Sequence, residues 1–175
     1  MIKLGQFDDV QVQNLLRIHL AGMHEHSPIE HSFALDLSSL KQPQISFYTL
    51  WDHNGLLACG AIQELSPIHA EVKSMRTHPQ HLAKGAATSI LKHLLHIAKL
   101  REYQKLSLET GTHPSFDPAI HLYKKFGFIQ GDAFSTYQTT EFNQFYHLDF
   151  CYTVEGMICF KTEIYVDFKI FKSRT

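Results

Sequence analysis

The chain has 175 residues, of which 44% are hydrophobic, and this is enough for one domain with a substantial core. Sixteen Lys and Arg residues against seventeen Asp and Glu residues give a formal net charge of −1, which excludes a strongly basic surface and predicts no nucleic-acid partner. Three cysteines without framework spacing, no apolar run of membrane-spanning length and no signal-peptide pattern predict a cytoplasmic protein without a membrane partner.

The first half of the chain predicts a strand, a helix and an antiparallel hairpin. Residues 1–7 alternate as a short strand, and apolar residues between Val12 and Met23 recur at helical spacing. Two runs rich in β-forming residues, 45–52 and 56–63, flank an Asn-Gly turn, which is typical of a hairpin. Residues 69–77 predict a further strand.

Helices and strands alternate in the second half. A helix that follows Gly85 carries Ala, Ile and Leu residues along one side. Residues 105–110 predict a buried strand, and residues 119–126 predict a helix that ends at Gly127. Because a helix connects them, the strands at 69–77 and 105–110 should be parallel. The element order predicts an α/β fold with an antiparallel first half.

A loop of small residues joins the strand at 69–77 to the next helix. It reads Ala83-Lys84-Gly85-Ala86-Ala87. Such a loop brings free backbone N–H groups to the positive end of a helix dipole, which is a site for an anion and usually for a phosphate. Lys84 adds a mobile positive charge. The simpler interpretation is a small-residue helix start packed against a sheet.

Two motifs resemble the GNAT superfamily of acetyl-CoA-dependent N-acetyltransferases. The cofactor loop of that family follows the pattern Gln/Arg-x-x-Gly-x-Gly/Ala, and residues 82–87 keep Gly85 and the final alanine, with Leu82 in place of Gln or Arg. A later family signature, Leu-Tyr-x-x-x-Gly-Phe, is matched fully by residues 122–128. The chain is also similar to a small bacterial subgroup of this superfamily, through Met23-His24, Ser27-Pro28, residues 73–77 and residues 107–111.

The resemblance implies a GNAT (acyl-CoA N-acyltransferase) fold, with a mixed, mostly antiparallel central sheet flanked by helices. It implies an N-acetyltransferase domain over residues 1–146, followed over 147–175 by a final strand and an atypical C-terminal extension. Acetyl-CoA would be the co-substrate. Its pantetheine arm would pair with backbone groups around Arg76, namely those of Met75 and Thr77. Its pyrophosphate would be surrounded by the N–H groups of Ala83, Lys84, Gly85, Ala86, Ala87 and Thr88.

Two residues are candidates for catalysis. The resemblance implies that Tyr123 lies near the cofactor sulfur and protonates the leaving thiolate; the alternative is a core tyrosine with one backbone partner. Glu71 occupies the strand position where some family members keep a general base, since an amine must lose a proton to attack a thioester. Glu109 or His69 could do the same, and a Glu at the start of a strand is commonly a solvated charge.

The segment after the first helix borders the acceptor pocket in the family. This makes His24, Glu25 and Ser27 candidate contacts of a small-molecule amine acceptor, with Glu109 as a further candidate. Arg76 could bind an acceptor carboxylate through its planar guanidinium group, or it could pair with a nearby glutamate. The many histidines of this segment match no structural zinc pattern, so no metal site is predicted.

The last part of the chain is open to several interpretations. Residues 164–171 alternate as in a strand. They could form an extra strand pair or a contact in a homodimer, or they could belong to a terminus altered by a change of reading frame.

The whole sequence predicts an acetyl-CoA-dependent N-acetyltransferase that acts on a primary amine of a small-molecule or amino-acid-like acceptor by direct attack. The alternative is a non-catalytic acyl-CoA-binding module, which Leu82 and the altered tail make plausible.

Overall fold

The computed structural model describes residues 1–26, 37–152 and 158–160. The predicted order of helices and strands is confirmed as far as residue 152 within these ranges. No helix in the described ranges is both long and apolar enough to cross a bilayer. The elements are β1 (Ile2–Leu4), α1 (Val10–His26), β2 (Ile45–Asp52), β3 (Gly55–Ser66), β4 (His69–Thr77), α2 (Ala86–Leu100), β5 (Lys105–Gly111), α3 (Asp117–Lys125), β6 (Ile129–Gly131), β7 (Asn143–Tyr152) and β8 (Ile158–Phe160).

The strands form one mixed sheet with the order β1-β2-β3-β4-β5-β7-β6, and β8 pairs with β7. Every neighbouring pair is antiparallel except β4 and β5, which flank α2 in the chain and run parallel. The predicted fold class is therefore confirmed. The predicted final strand corresponds to β7, which continues across residue 146, and the extension after residue 160 lies outside the described residues.

Helices cover both faces of the sheet because each helix has an apolar side. α2 and α3 pack on one face, where Ile90, Leu91 and Leu94 lie in one cluster with Val72 and Leu106. α1 covers the other face of β2 and β3, in a second cluster that contains Val12, Leu15, Leu16, Phe47 and Trp51. Burying each such side chain contributes roughly 1.5–3 kcal/mol, so these two clusters fix the helices on the sheet.

The parallel strands β4 and β5 separate along their length. Their described pairing ends at Glu71 and Ser107, although β4 continues to Thr77 and β5 continues to Gly111. Beyond this point β4 stays paired with β3 only, and β5 stays paired with β7 only. The separation opens the sheet and leaves one edge of β4 available to a ligand.

A β-bulge bends β4 beside this opening. The register between β3 and β4 shifts between Cys59 and Ala61, and Ser74 adopts a positive φ of 53°. Gly60 lies in β3 at the shift. A Cβ atom there would lie 2.7 Å from Ile90 Cγ2 and 2.7 Å from Met75 Sδ. Glycine therefore permits the close approach of β3 to α2.

Candidate active site

A pocket lies where β4 and β5 separate, and α1 and α3 complete its walls. It brings together Glu71 and Met75 from β4, Glu109 from β5 and Tyr123 from α3, all of which the sequence indicated as site residues. Two titratable side chains without a predicted role at the site also line it, His19 from α1 and Lys73 from β4. The catalytic candidates from distant parts of the chain thus share one pocket.

Tyr123 is positioned by the short helix α3. The helix buries Ile120 and Tyr123 on its inner side, and Gly127 has a left-handed φ of 87° that turns the chain back after the helix. Phe128 then packs against the Tyr123 ring with its centroid 5.8 Å away. Burial raises the pKa of Tyr123, so its phenol is protonated at neutral pH.

The Tyr123 hydroxyl has no hydrogen-bond partner among the described residues. Its side chain lines the pocket, and among the described residues none forms a hydrogen bond with this hydroxyl. Tyr123 is a buried member of the larger hydrophobic cluster, as the alternative of a core tyrosine expects, but the backbone partner of that alternative is not found among the described residues. The hydroxyl can therefore form a hydrogen bond with a ligand in the pocket.

Glu71 is buried, and one oxygen of its carboxylate interacts with two side chains of the protein. Its side chain is 3% exposed, and Lys73 Nζ lies 2.9 Å from Glu71 Oε1. The hydroxyl of Tyr137 donates to the same oxygen at 2.6 Å, and it accepts a hydrogen bond from Lys73 at 2.5 Å. Burial and the Glu71 carboxylate raise the pKa of Tyr137. The alternative interpretation of Glu71 as a solvated edge charge is wrong.

Glu109 has a different environment from Glu71. It is half-buried, and no hydrogen bond or ion pair with its carboxylate is found among the described residues. Burial raises its pKa to about 7; the Glu71 charge acts in the same direction and the Lys73 charge opposes it. Glu109 can therefore gain and lose a proton near neutral pH.

His19 of α1 lines the pocket, and the charge of Arg76 on β4 acts on it. Burial, assisted by the positive charge of Arg76, lowers the pKa of His19 to about 4, so this imidazole is neutral at pH 7. The Arg76 guanidinium lies against Gly22, where a Cβ atom would be 3.3 Å from Nη1. The alternative in which Arg76 pairs with Glu71 or Glu109 is not found among the described residues.

The predicted phosphate loop has the backbone geometry of an anion site. Ala83 and Gly85 have positive φ angles of 58° and 80°, and α2 begins directly after Gly85. The first N–H groups of α2, those of Ala86, Ala87 and Thr88, cannot bond within the helix and are available to an anion. Lys84 is exposed, and its Nζ donates to the Gln80 carbonyl at 3.0 Å.

Some predicted site residues are placed only in part. His24 and Glu25 belong to the last turn of α1, but their side chains and the whole of Ser27 lie outside the described residues. Leu82 is 60% exposed next to the loop and offers it no polar group. Within the described ranges, no group of three or more His, Cys, Asp or Glu residues could hold a metal ion.

Cys59 is not arranged as a nucleophile. The side chain is buried, and burial raises the pKa of its thiol to about 12. The thiol donates to the Ser74 carbonyl at 3.5 Å. Cys59 therefore packs as a small apolar residue.

The sequence pattern of the acetyltransferase (GNAT) family matches residues 12–128. The chain belongs to the GNAT family. Two curated relatives are uncharacterized N-acetyltransferases: YsnE of Bacillus subtilis is 43% identical over 136 residues, which are 78% of this chain and 90% of YsnE. YedL of Escherichia coli is 39% identical over 150 residues, which are 86% of this chain and 94% of YedL.

Solved structures agree with this GNAT membership at the level of the fold. A Klebsiella pneumoniae protein described as an acyl-CoA N-acyltransferase matches with a TM-score of 0.67 and 24% identity, over 84% of this chain and 94% of that one. A Bacillus subtilis acetyltransferase in complex with CoA matches with a TM-score of 0.60 and 17% identity, over 85% and 97%. The predicted family is confirmed, and the protein is an acyltransferase; GNAT enzymes take their acyl group from acyl-CoA.

Proposed function

We propose that the protein transfers an acetyl group from acetyl-CoA to a primary amine of a small-molecule or amino-acid-like acceptor, by direct attack of the amine. One observation carries this proposal: the opening between β4 and β5 places Tyr123 and two carboxylates, Glu71 and Glu109, in the same pocket. A protonated phenol and a proton acceptor are the two groups that aminolysis of a thioester requires.

The cofactor would lie along the open edge of β4. Backbone groups of Met75, Arg76 and Thr77 would pair with the pantetheine arm, because β4 has no described strand partner on this side. The N–H groups between Ala83 and Thr88 would surround the pyrophosphate at the start of α2. The left-handed φ of Gly85 supports this placement, since it directs the chain into the helix with its first donors free.

In the chemical step the amine nitrogen attacks the thioester carbonyl carbon. Backbone N–H groups on the free edge of β4 stabilise the negative charge on the carbonyl oxygen. The C–N bond forms and the C–S bond breaks, and the electron pair leaves with sulfur. Tyr123 gives its phenolic proton to the thiolate. Burial keeps the Tyr123 phenol protonated before this step, so a proton is present to transfer.

The acceptor would enter from the side of the sheet that α1 covers. Arg76 lies on this side, against Gly22 of α1, and its planar guanidinium group suits a carboxylate of an amino-acid-like acceptor. We include Glu109, and His24, Glu25 and Ser27 at the end of α1 and just after it, among the acceptor contacts. Removing the charge of Arg76 should therefore raise KM for a carboxylate-bearing acceptor more than KM for a simple amine.

A thiol-release assay tests the proposal. Acetyl-CoA is incubated with the protein and a panel of small amines and amino acids, and free CoA thiol is measured over time. We expect release that depends on at least one amine. Tight acetyl-CoA binding without release across the panel would contradict the proposal and favour a binding module instead.

A further inference from the structure

Two carboxylates line the pocket, and their different surroundings indicate different roles for them. We propose that Glu109 is the residue that takes the proton from the acceptor amine, and that Glu71 is a positioning residue whose charge is held by Lys73 and Tyr137. This inference rests on the proposed acetyl transfer. It changes the assignment that strand position favoured, which was Glu71 as the general base.

The contacts of Glu71 occupy one of its two carboxylate oxygens. Its Oε1 atom accepts hydrogen bonds from Lys73 at 2.9 Å and from Tyr137 at 2.6 Å. The Oε1 atom of Glu71 is therefore committed to two donors of the protein, whereas the carboxylate of Glu109 has no described donor.

Glu109 stands in the opening itself. Glu71 and Ser107 are the last described partners of β4 and β5, and alternate residues of a strand share a face. Glu109 is thus the next residue of β5 on the face of Ser107, at the point where the strands have separated. Its pocket-facing carboxylate has no described donor, so it can accept a proton from an amine that approaches through the gap.

The electrostatics of the pocket suit this role. Burial raises the pKa of Glu109, the charge of Lys73 lowers it and the charge of Glu71 raises it, and together they bring it to about 7. General bases work best when their pKa lies near the working pH. The other titratable groups that line the pocket or act on its carboxylates are His19 on α1, Glu71 and Lys73 on β4, Tyr123 on α3, and Tyr137 before β7.

The protons balance as follows. The acceptor amine arrives as an ammonium ion, and Glu109 takes one proton and later releases it to solvent. The neutral nitrogen attacks the carbonyl carbon and loses a second proton as the C–S bond breaks. Sulfur gains the proton of Tyr123, and the second proton from nitrogen restores the phenol through solvent. One proton is released in each turnover.

The test compares the pH dependence of kcat/KM for the wild type, Glu109→Gln and Glu71→Gln with one acceptor amine, so that ionisation of the amine contributes equally. We expect Glu109→Gln to lose roughly 100-fold or more in kcat/KM and to lose the rise near pH 7. Glu71→Gln should keep that rise but move it to lower pH, because Glu71 raises the pKa of Glu109.

Two further variants guard against changes in folding. Tyr137→Phe removes one hydrogen-bond donor to Glu71 while the aromatic ring stays in place. This variant should keep the rise in kcat/KM with pH. Glu102→Gln, at an exposed position after α2, is the matched control and should behave as the wild type. Loss of the rise in Glu71→Gln, or its survival in Glu109→Gln, would overturn the inference. A wild type that binds acetyl-CoA in calorimetry but turns over no amine would instead contradict the proposed function.

Discussion

The ammonium group of Lys73 lies 2.9 Å from the Glu71 carboxylate, with both side chains nearly buried at 8% and 3% exposure. The two residues are neighbours on one face of β4, because alternate side chains of a strand point the same way. Next to them the ladder between β4 and β5 ends. The pair therefore places a positive and a negative charge next to each other at the point where the sheet opens.

Replacing Lys73 by Met should destabilise the fold by about 3 kcal/mol, because it leaves the Glu71 charge buried without its partner. The free energy of unfolding from urea titration measures this change. Lys92→Met, at an exposed position of α2, is the control and should change stability by less than about 0.5 kcal/mol. Equal effects of the two variants would show that the Lys73–Glu71 pair carries no special energy.

Replacing Tyr123 by Phe should lower kcat by roughly 100-fold, because the departing thiolate then lacks its acid. The affinity for acetyl-CoA should stay within about twofold, since the ring still packs on Phe128. Steady-state kinetics and calorimetric titration separate the two quantities. An unchanged kcat would remove Tyr123 from the chemical step.

Replacing Gly60 by Ala should destabilise the fold by roughly 1–3 kcal/mol. The new methyl group would lie 2.7 Å from Ile90 Cγ2 and from Met75 Sδ, so these side chains must shift. Gly85→Ala is the comparison, because its methyl group would meet no atom within 4 Å. Its cost should come only from the positive φ of residue 85, at about 1 kcal/mol. Thermal unfolding of both variants checks that Gly60→Ala loses more stability than Gly85→Ala.

His19 should make the fold sensitive to acid. Its folded-state pKa is lowered to about 4 from an ordinary value of 6.5, so below pH 6.5 the unfolded chain binds a proton that the folded chain does not. The stability from this group is present above pH 6.5 and is lost as the pH falls towards 4, by roughly 2–3 kcal/mol. His19→Gln should lose less stability over this window, as measured by urea titration at several pH values. If the free energy of unfolding fell equally with pH in the wild type and in His19→Gln, His19 would not be the cause of the acid sensitivity.

Local sequence patterns predicted most of the elements. The residues 69–77 that alternate in sequence form β4 with those bounds, since the turn residues on either side end the strand. The crossover through α2 predicted the parallel pairing of β4 and β5, which is confirmed. The loop at Gly85 was recognisable because glycine tolerates the positive φ that the turn into α2 requires.

The site itself was only partly predictable. Alternation places Lys73 on the same face as Glu71, but nothing local says that the two are buried together. Tyr137 lies 66 residues from Glu71, in a segment without periodicity, so no pattern pointed to their hydrogen bond. His19 sits on the apolar side of α1 and resembled a core position. Such contacts depend on tertiary packing, which short-range propensity does not encode.

One measurement tests the central proposal most directly. The protein is mixed with acetyl-CoA and an active acceptor amine, the reaction is quenched at several times, and both the free CoA thiol and the N-acetylated product are quantified by mass spectrometry. Acetyl transfer by direct attack predicts equal amounts of thiol and N-acetylated amine at every time point. Thiol release without an acetylated amine, or acetyl-CoA binding with neither product, would contradict it.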